Sequence, residues 1–223
     1  LTLSLFAHIP PLETEALTPQ TKGIKLSDYL EPKALPIAFI TLGIAFSYSS
    51  VLSFLNSYAA ERNLTEAASF FFVIYAVSIL LSRPFTGRLM DIKGPNVIMY
   101  PGFILLAIGM LVLGTASNAL TLLLSGVLIG LGFGNMQSCT QAIAIKLTPP
   151  HRMGLTTSTF YIFLDGGLGF GPSLLGLIVP FTGLSHLFIY LGVCSLFLIF
   201  LYNRLHGRKE REIRSQEQST ISI

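Results

Sequence analysis

The sequence predicts an all-α integral membrane protein, a bundle of six transmembrane helices. Three observations predict it. Six apolar runs, near residues 34–57, 65–81, 97–116, 120–145, 154–179 and 184–202, are separated by short polar loops. Most are about 20 residues, the length an α-helix needs to cross a hydrocarbon core about 30 Å thick at about 1.5 Å per residue. Charged residues make up 11% of the chain and mean hydropathy is +0.68, against about 25% charged in soluble domains. Lys and Arg, finally, fall on alternate loops. A bilayer offers the backbone no hydrogen-bond partners, so the apolar runs must be helices.

Residues 1–33 precede the first span. Residues 1–10 read as the end of an apolar segment too short to cross, and 11–33 as a polar linker with Pro11, Pro19 and Pro32. The composition is not that of a signal peptide, and more membrane-embedded chain is expected upstream. The membrane domain is expected over 34–203. Its first span places Ser47, Ser50 and Ser57 on one helical stripe with Phe54. The second is short unless it continues toward Phe85. The densest charged loop follows, from Arg83 to Pro95, where Pro84 and Pro95 limit helix continuation and the glycines permit a tight turn. Spans three and five are followed by short uncharged loops, which predicts antiparallel hairpins. Span four stops at Pro149 and Pro150, followed by His151 and Arg152. Pro101 and Pro172 lie within spans three and five, where kinks are tolerated if neighbours satisfy the freed backbone groups. The basic tail, 204–223, is polar, highly charged and predicted to be disordered.

Charge sets the orientation. Of 14 Lys and Arg, three precede the first span (Lys22, Lys25, Lys33) and three follow the second (Arg83, Arg88, Lys93). Two follow the fourth (Lys146, Arg152) and five lie in the tail, leaving only Arg62 on the other side. The positive-inside rule then predicts a multi-pass protein of the cell membrane with both ends of the chain cytoplasmic. The net charge of +3 is topogenic and does not mark a nucleic-acid surface. Cys139 and Cys194 sit inside spans and read as small buried hydrophobes. The four histidines are scattered, and no HExxH, GxSxG or Walker A pattern occurs. No cofactor or metal is expected, and with no nucleophile–base constellation a membrane enzyme is the weakest reading.

Small residues recur at helical spacing. Gly126, Gly130 and Gly134 share a face of span four, and Gly167 and Gly171 share one in span five, beside Pro172. Such faces let helix backbones approach closely in lipid. They serve either packing alone or helices that slide and rock against one another.

Asp165 is the acidic residue deepest in a span, eleven residues from Gly154 and roughly 16 Å along the helix. A carboxylate at that depth costs about 3 kcal/mol or more and faces a cavity or a partner. It is read either as a neutral acid bonded to a neighbouring helix or as a proton-coupling or cation-binding site. Ser47, Ser50, Asn135, Gln137, Gln141 and Tyr161 are candidates to line an aqueous path, the alternative being interhelical hydrogen bonds. Tyr48, Phe160 and Tyr161 would add aromatic surface suited to an apolar or amphipathic solute. In the charged loop, Arg88 and Asp91 stand three apart, close enough to interact across one helical turn.

That loop, Gly87-Arg88-Leu89-Met90-Asp91-Ile92-Lys93-Gly94, resembles the motif G-[basic]-L-x-D-[basic]-x-G of the major facilitator superfamily, found between the second and third spans of a six-helix half. Met90, Ile92 and Pro95 depart from it in the manner of a second-half copy. Span five, Asp165-Gly166-Gly167-Leu168-Gly169-Phe170-Gly171-Pro172, resembles the eleventh helix of bacterial drug:proton antiporter-like members. Span four has Ser125 where the fourth helix of a first half usually carries Arg. The resemblance covers nearly the whole chain and implies one repeat of a major-facilitator-type fold, the C-terminal half. It implies transport of a small molecule by alternating access, in proton-coupled efflux, with the lipid bilayer, protons and an N-terminal six-helix half as partners. By the same resemblance Arg83, Gly87, Arg88, Asp91 and Gly94 form a gating loop and do not bind substrate. The competing expectations are a truncated, non-transporting membrane fragment and a six-span half that dimerises to transport.

Overall fold

The computed structural model describes residues 29–208 and Glu210; the expectations for 1–28 and for the end of the tail lie outside the described residues. These residues form six α-helices and, among them, no strand: α1 (Leu35–Glu61), α2 (Thr65–Lys93), α3 (Asn96–Gly114), α4 (Ala119–Ile129), α5 (Asn135–Lys146) and α6 (Met153–Tyr202). A π-helical segment, Gly130–Gly134, joins α4 to α5 into one span, Ala119–Lys146. Five helical units are long and apolar enough to cross a membrane. The last of them, 50 residues as α6, would be roughly 75 Å long if straight, more than twice the hydrocarbon core.

It is not straight. Gly183, at φ 73° and ψ 162°, breaks α6 into two arms, 153–182 and 184–202. The packing against α1 shows that the arms are antiparallel. Gly167, on the first arm, lies against the Leu42 carbonyl and Ala45, while Leu198, on the second, lies against Gly43. Residues 31 apart are therefore at one level on α1. The expected loop between spans five and six is a single residue whose backbone only glycine adopts without strain. The bundle thus has six crossings.

Ties at both ends hold the helices in register. At the end that carries most of the basic residues (the basic end), Arg152 Nε lies 2.9 Å from the carboxylate of Glu31. The Glu31 backbone N–H donates to Thr159 Oγ1 at 2.9 Å, so the chain entering α1 is fixed to the first turns of α6. Also at this end, Tyr202 and Asn203 bond to Asn96 and Tyr100 of α3, each at 2.8 Å. At the opposite end Arg62 donates to the Ala116 carbonyl at 3.2 Å and to Ser185 Oγ at 2.7 Å, with its guanidinium over the Tyr58 ring. One arginine, on the side where the others are absent, therefore joins the ends of α1, α3 and the α6 hairpin. The core lies among α1, α3 and α6, with Ile44, Val51, Phe103, Leu106, Met110 and Phe188 buried.

Helix α2 is different. It buries only Ala67, Ala68 and Phe71, and its large apolar side chains Phe70, Val73, Val77, Leu80, Leu81, Phe85 and Ile92 are exposed. It also continues through the stretch expected to be a loop. Arg83, Gly87, Arg88 and Asp91 are helical, and Pro84 lies inside the helix. Proline removes one ladder hydrogen bond, and Ser82 and Thr86 on either side supply hydroxyls to the Ile79 and Ser82 carbonyls at 3.0 and 3.1 Å. The helix stops where the last motif glycine, Gly94, turns to φ 85°.

Candidate functional site

The glycines of span four meet α2 one for one. A Cβ on Gly126 would touch Phe71, one on Gly130 would lie 2.8 Å from the Tyr75 carbonyl oxygen, and one on Gly134 would collide with Ile79. Both rows advance by four, so the glycine ridge of span four receives a ridge of large side chains, Phe71, Tyr75 and Ile79, from α2. Gly132, between them, faces the other way: its Cβ would lie 2.7 Å from Leu106 N and 2.9 Å from the Gly102 carbonyl of α3. Span four is therefore in backbone contact with helices on two sides at its middle, which is also where it adopts π geometry. On α6, Gly167 and Gly171 press on α1 at Leu42, Ala45 and Ser49, and Pro172 is half-buried next to them.

The polar candidates divide into two groups. Ser47 and Ser50 are 2% and 0% exposed and donate to their own helix at Gly43 and Ser47. They line no open path; a hydroxyl that bonds the carbonyl three or four residues back needs neither water nor solute. Asn135 is also buried, and it bridges two helices. Its amide donates to Ser82 Oγ and to the Leu131 carbonyl, both at 2.9 Å, and its carbonyl accepts from Thr86 Oγ1 at 3.0 Å. Arg83 extends the contact by donating to Ser138 Oγ at 3.4 Å. Asn135 thus clamps α5 to α2 around Pro84.

Gln137, Gln141, Tyr161 and Asp165 form the second group, on an open face between α5 and the first arm of α6. Gln141 Nε2 is 3.5 Å from the Tyr161 hydroxyl, the long limit of a hydrogen bond. Gln137 lies one turn earlier on α5, half-buried. Tyr161 is 42% exposed, and Asp165, exposed and one turn further along the same stripe, is within a turn of the middle of its arm. Among the described residues no ion pair reaches Asp165. Of the aromatic candidates, Phe160 is buried and Tyr48 is stacked between Tyr75 and Phe133, with centroids 5.5 and 4.0 Å away. Only Tyr161 presents its ring to the open face.

The first arm of α6 therefore has two shoulders. Ser158, Tyr161, Asp165, Gly169 and Ser173 form a polar and small one; Ile162, Phe170, Leu174, Leu177 and Phe181 form an apolar one. In lipid, the second suits acyl chains and the first a hydrated or protein-covered surface. Arg83, Gly87, Arg88 and Asp91 form part of the exposed surface of α2, and no ion pair joins Arg88 to Asp91 among the described residues. No group of His, Cys, Asp and Glu able to hold a metal occurs among those residues. Sequence reading missed Glu31, whose ties to Arg152 and Thr159 span more than 100 positions, and Arg62, counted there only as a topological exception. The Asn before a proline-interrupted helix partner, in contrast, was visible as a polar group in need of a bond.

The family model described as the Major Facilitator Superfamily matches residues 37–222. The multidrug resistance protein MdtG of Dickeya zeae is 28% identical over 188 residues, covering 79% of this chain and 46% of that protein. MdtG of Salmonella typhi is 30% identical over 169 residues, covering 73% and 41%. An uncharacterized MFS-type transporter, YhhS of Salmonella typhimurium, is 29% identical over 132 residues, covering 59% and 32%. The chain spans less than half the length of these curated relatives. Among solved structures, the peptide transporter POT (E310Q mutant, with alafosfalin) superposes with a TM-score of 0.65 at 18% identity, over 85% of this chain and 45% of that one.

Proposed function

The chain belongs to the Major Facilitator Superfamily, and from that membership we propose that it is the C-terminal six-helix half of a secondary transporter that exports a small molecule in exchange for protons. The observation that carries the reading is Asp165: a carboxylate near the middle of a membrane arm, on the polar shoulder, with Tyr161 and Gln141 beside it and no cation paired to it among the described residues. A carboxylate so placed binds and releases a proton as the path opens to either side of the membrane. The multidrug resistance names of two relatives support efflux. The open apolar face of α2 supports a second half as the partner that covers it. The protein does no covalent chemistry in this reading; its work is alternating access, with Arg88 and Asp91 acting at the basic face when the halves close. The bias of basic residues toward one end supports a cell-membrane protein with that end in the cytoplasm.

In the complete protein, Asp165→Asn is expected to reduce proton-driven flux and flatten its pH dependence while insertion stays normal. Flux into vesicles, measured across a pH series at constant driving force, checks it. Unchanged flux with unchanged pH dependence overturns the coupling role.

A further inference from the structure

We propose that the apolar face of α1 between the two arms of α6 holds one acyl chain of an anionic phospholipid, whose phosphate is held by Lys33, Arg204 and Arg208. Near the basic end a cavity of about 570 Å³ opens over Leu35, Phe39 and Leu42 of α1, walled by Leu198, Leu201 and Leu205 of the second arm. Leu42 belongs also to a second cavity, of about 420 Å³, which runs on past Phe46 beside Gly166 and Phe170 of the first arm. Every lining side chain is apolar or glycine. From Leu35 to Phe46 is eleven residues, roughly 16 Å of helix, about the depth of one leaflet of a core about 30 Å thick. The groove thus starts at the membrane surface and ends near the midplane, as a lipid tail does.

The charge at its mouth selects the headgroup. Lys33 stands two residues before Leu35, Arg204 adjoins Leu205, and Arg208 follows Leu205 by three on the same helical face. All three are exposed, and none takes part in an ion pair among the described residues. The basic side chains Arg152 and Arg62 are, in contrast, engaged in the protein's own ties. Of the described acids nearest in sequence, Glu31, two residues before Lys33, is paired with Arg152 at 2.9 Å, and Glu210, two residues after Arg208, sits 3.9 Å from His206. Three cations next in the chain to the residues that line the basic end of a leaflet-deep apolar groove, and without an ion pair among the described residues, complement a phosphate attached to an acyl chain. This site is separate from the polar shoulder and does not rest on the transport reading.

The test uses the full-length native protein, taken from vesicles of equal phosphatidylglycerol and phosphatidylcholine with identical chains, and weighs the lipids that stay bound. Phosphatidylglycerol is expected to be retained over phosphatidylcholine by at least about fivefold, the worth of one basic residue near an anionic surface. Changing Lys33, Arg204 and Arg208 together to Gln should bring the two lipids to parity. Gly166→Leu, which adds bulk where nothing lies within 4 Å of a Cβ, should lower retention of both. Equal retention by the native protein overturns the proposal, as does a preference that survives the triple change or a Gly166→Leu variant that retains lipid normally. If the triple variant does not insert, salt decides: a preference unaffected by high ionic strength overturns the headgroup contact, and one that collapses supports it.

Discussion

Arg152 and Glu31 are unequal partners, and the inequality is measurable. The Glu31 side chain is 3% exposed and that of Arg152 is 35% exposed. Removing the arginine strands a buried carboxylate, whereas removing the charge of the carboxylate leaves a guanidinium that water can reach. Arg152→Ala is therefore expected to cost about 2–3 kcal/mol, below the range for fully buried pairs, and Glu31→Gln about 1 kcal/mol. Thermal unfolding in detergent checks the order, and equal losses would refute it. This pair was invisible in the sequence because its meaning lies in a contact across the fold; the Glu31 N–H finds its partner 128 positions away. Asn135, Gln141, Tyr161 and Asp165 were legible as polar groups that needed an explanation in hydrocarbon. Which of them faced a neighbour and which an open surface was not, because both outcomes satisfy the same periodicity. Ser47 and Ser50 show the limit: a stripe of hydroxyls reads as a wet face until each is seen bonding its own helix.

At the level of elements, apolar length identified the crossings, and the departures from regular helix escaped it. Hydropathy cannot see that Gly183 reverses the chain in one residue or that α2 runs through Pro84. Both depend on local backbone partners. Gly183→Ala places a Cβ at φ 73° and ψ 162°, and should cost about 1–3 kcal/mol; an unchanged melting temperature would show that the reversal tolerates an L side chain. The glycines separate by surroundings. Gly132→Ala would put a methyl 2.7 Å from the backbone of α3, so span four and α3 must part, and the expected loss is about 1–3 kcal/mol. Gly154→Ala meets nothing within 4 Å and should fall within about 0.5 kcal/mol of the parent. Unfolding curves of the two variants side by side test the contrast.

For the whole molecule, α1, α3 and α6 form a frame fastened at both ends, by Glu31–Arg152 and the Asn96–Tyr202 contact at one and by Arg62 at the other. Helix α2 rests against span four through glycine contacts and the Asn135 clamp, and little else covers it. Backbone amides in 76–92 are expected to exchange with deuterium faster than those in 98–113, because local opening follows contact density. Mass-resolved exchange on the chain in lipid reads this directly, and uniform protection would contradict it. The uncovered helix also bears on the life of the chain in a cell. A copy that never met a covering partner would display seven large apolar residues, together with Arg83, Arg88 and Asp91, on one loosely held segment. That is the kind of surface by which membrane quality control distinguishes an orphan from an assembled protein, so substitutions along α2 should alter how much of the protein accumulates before they alter how fast it works.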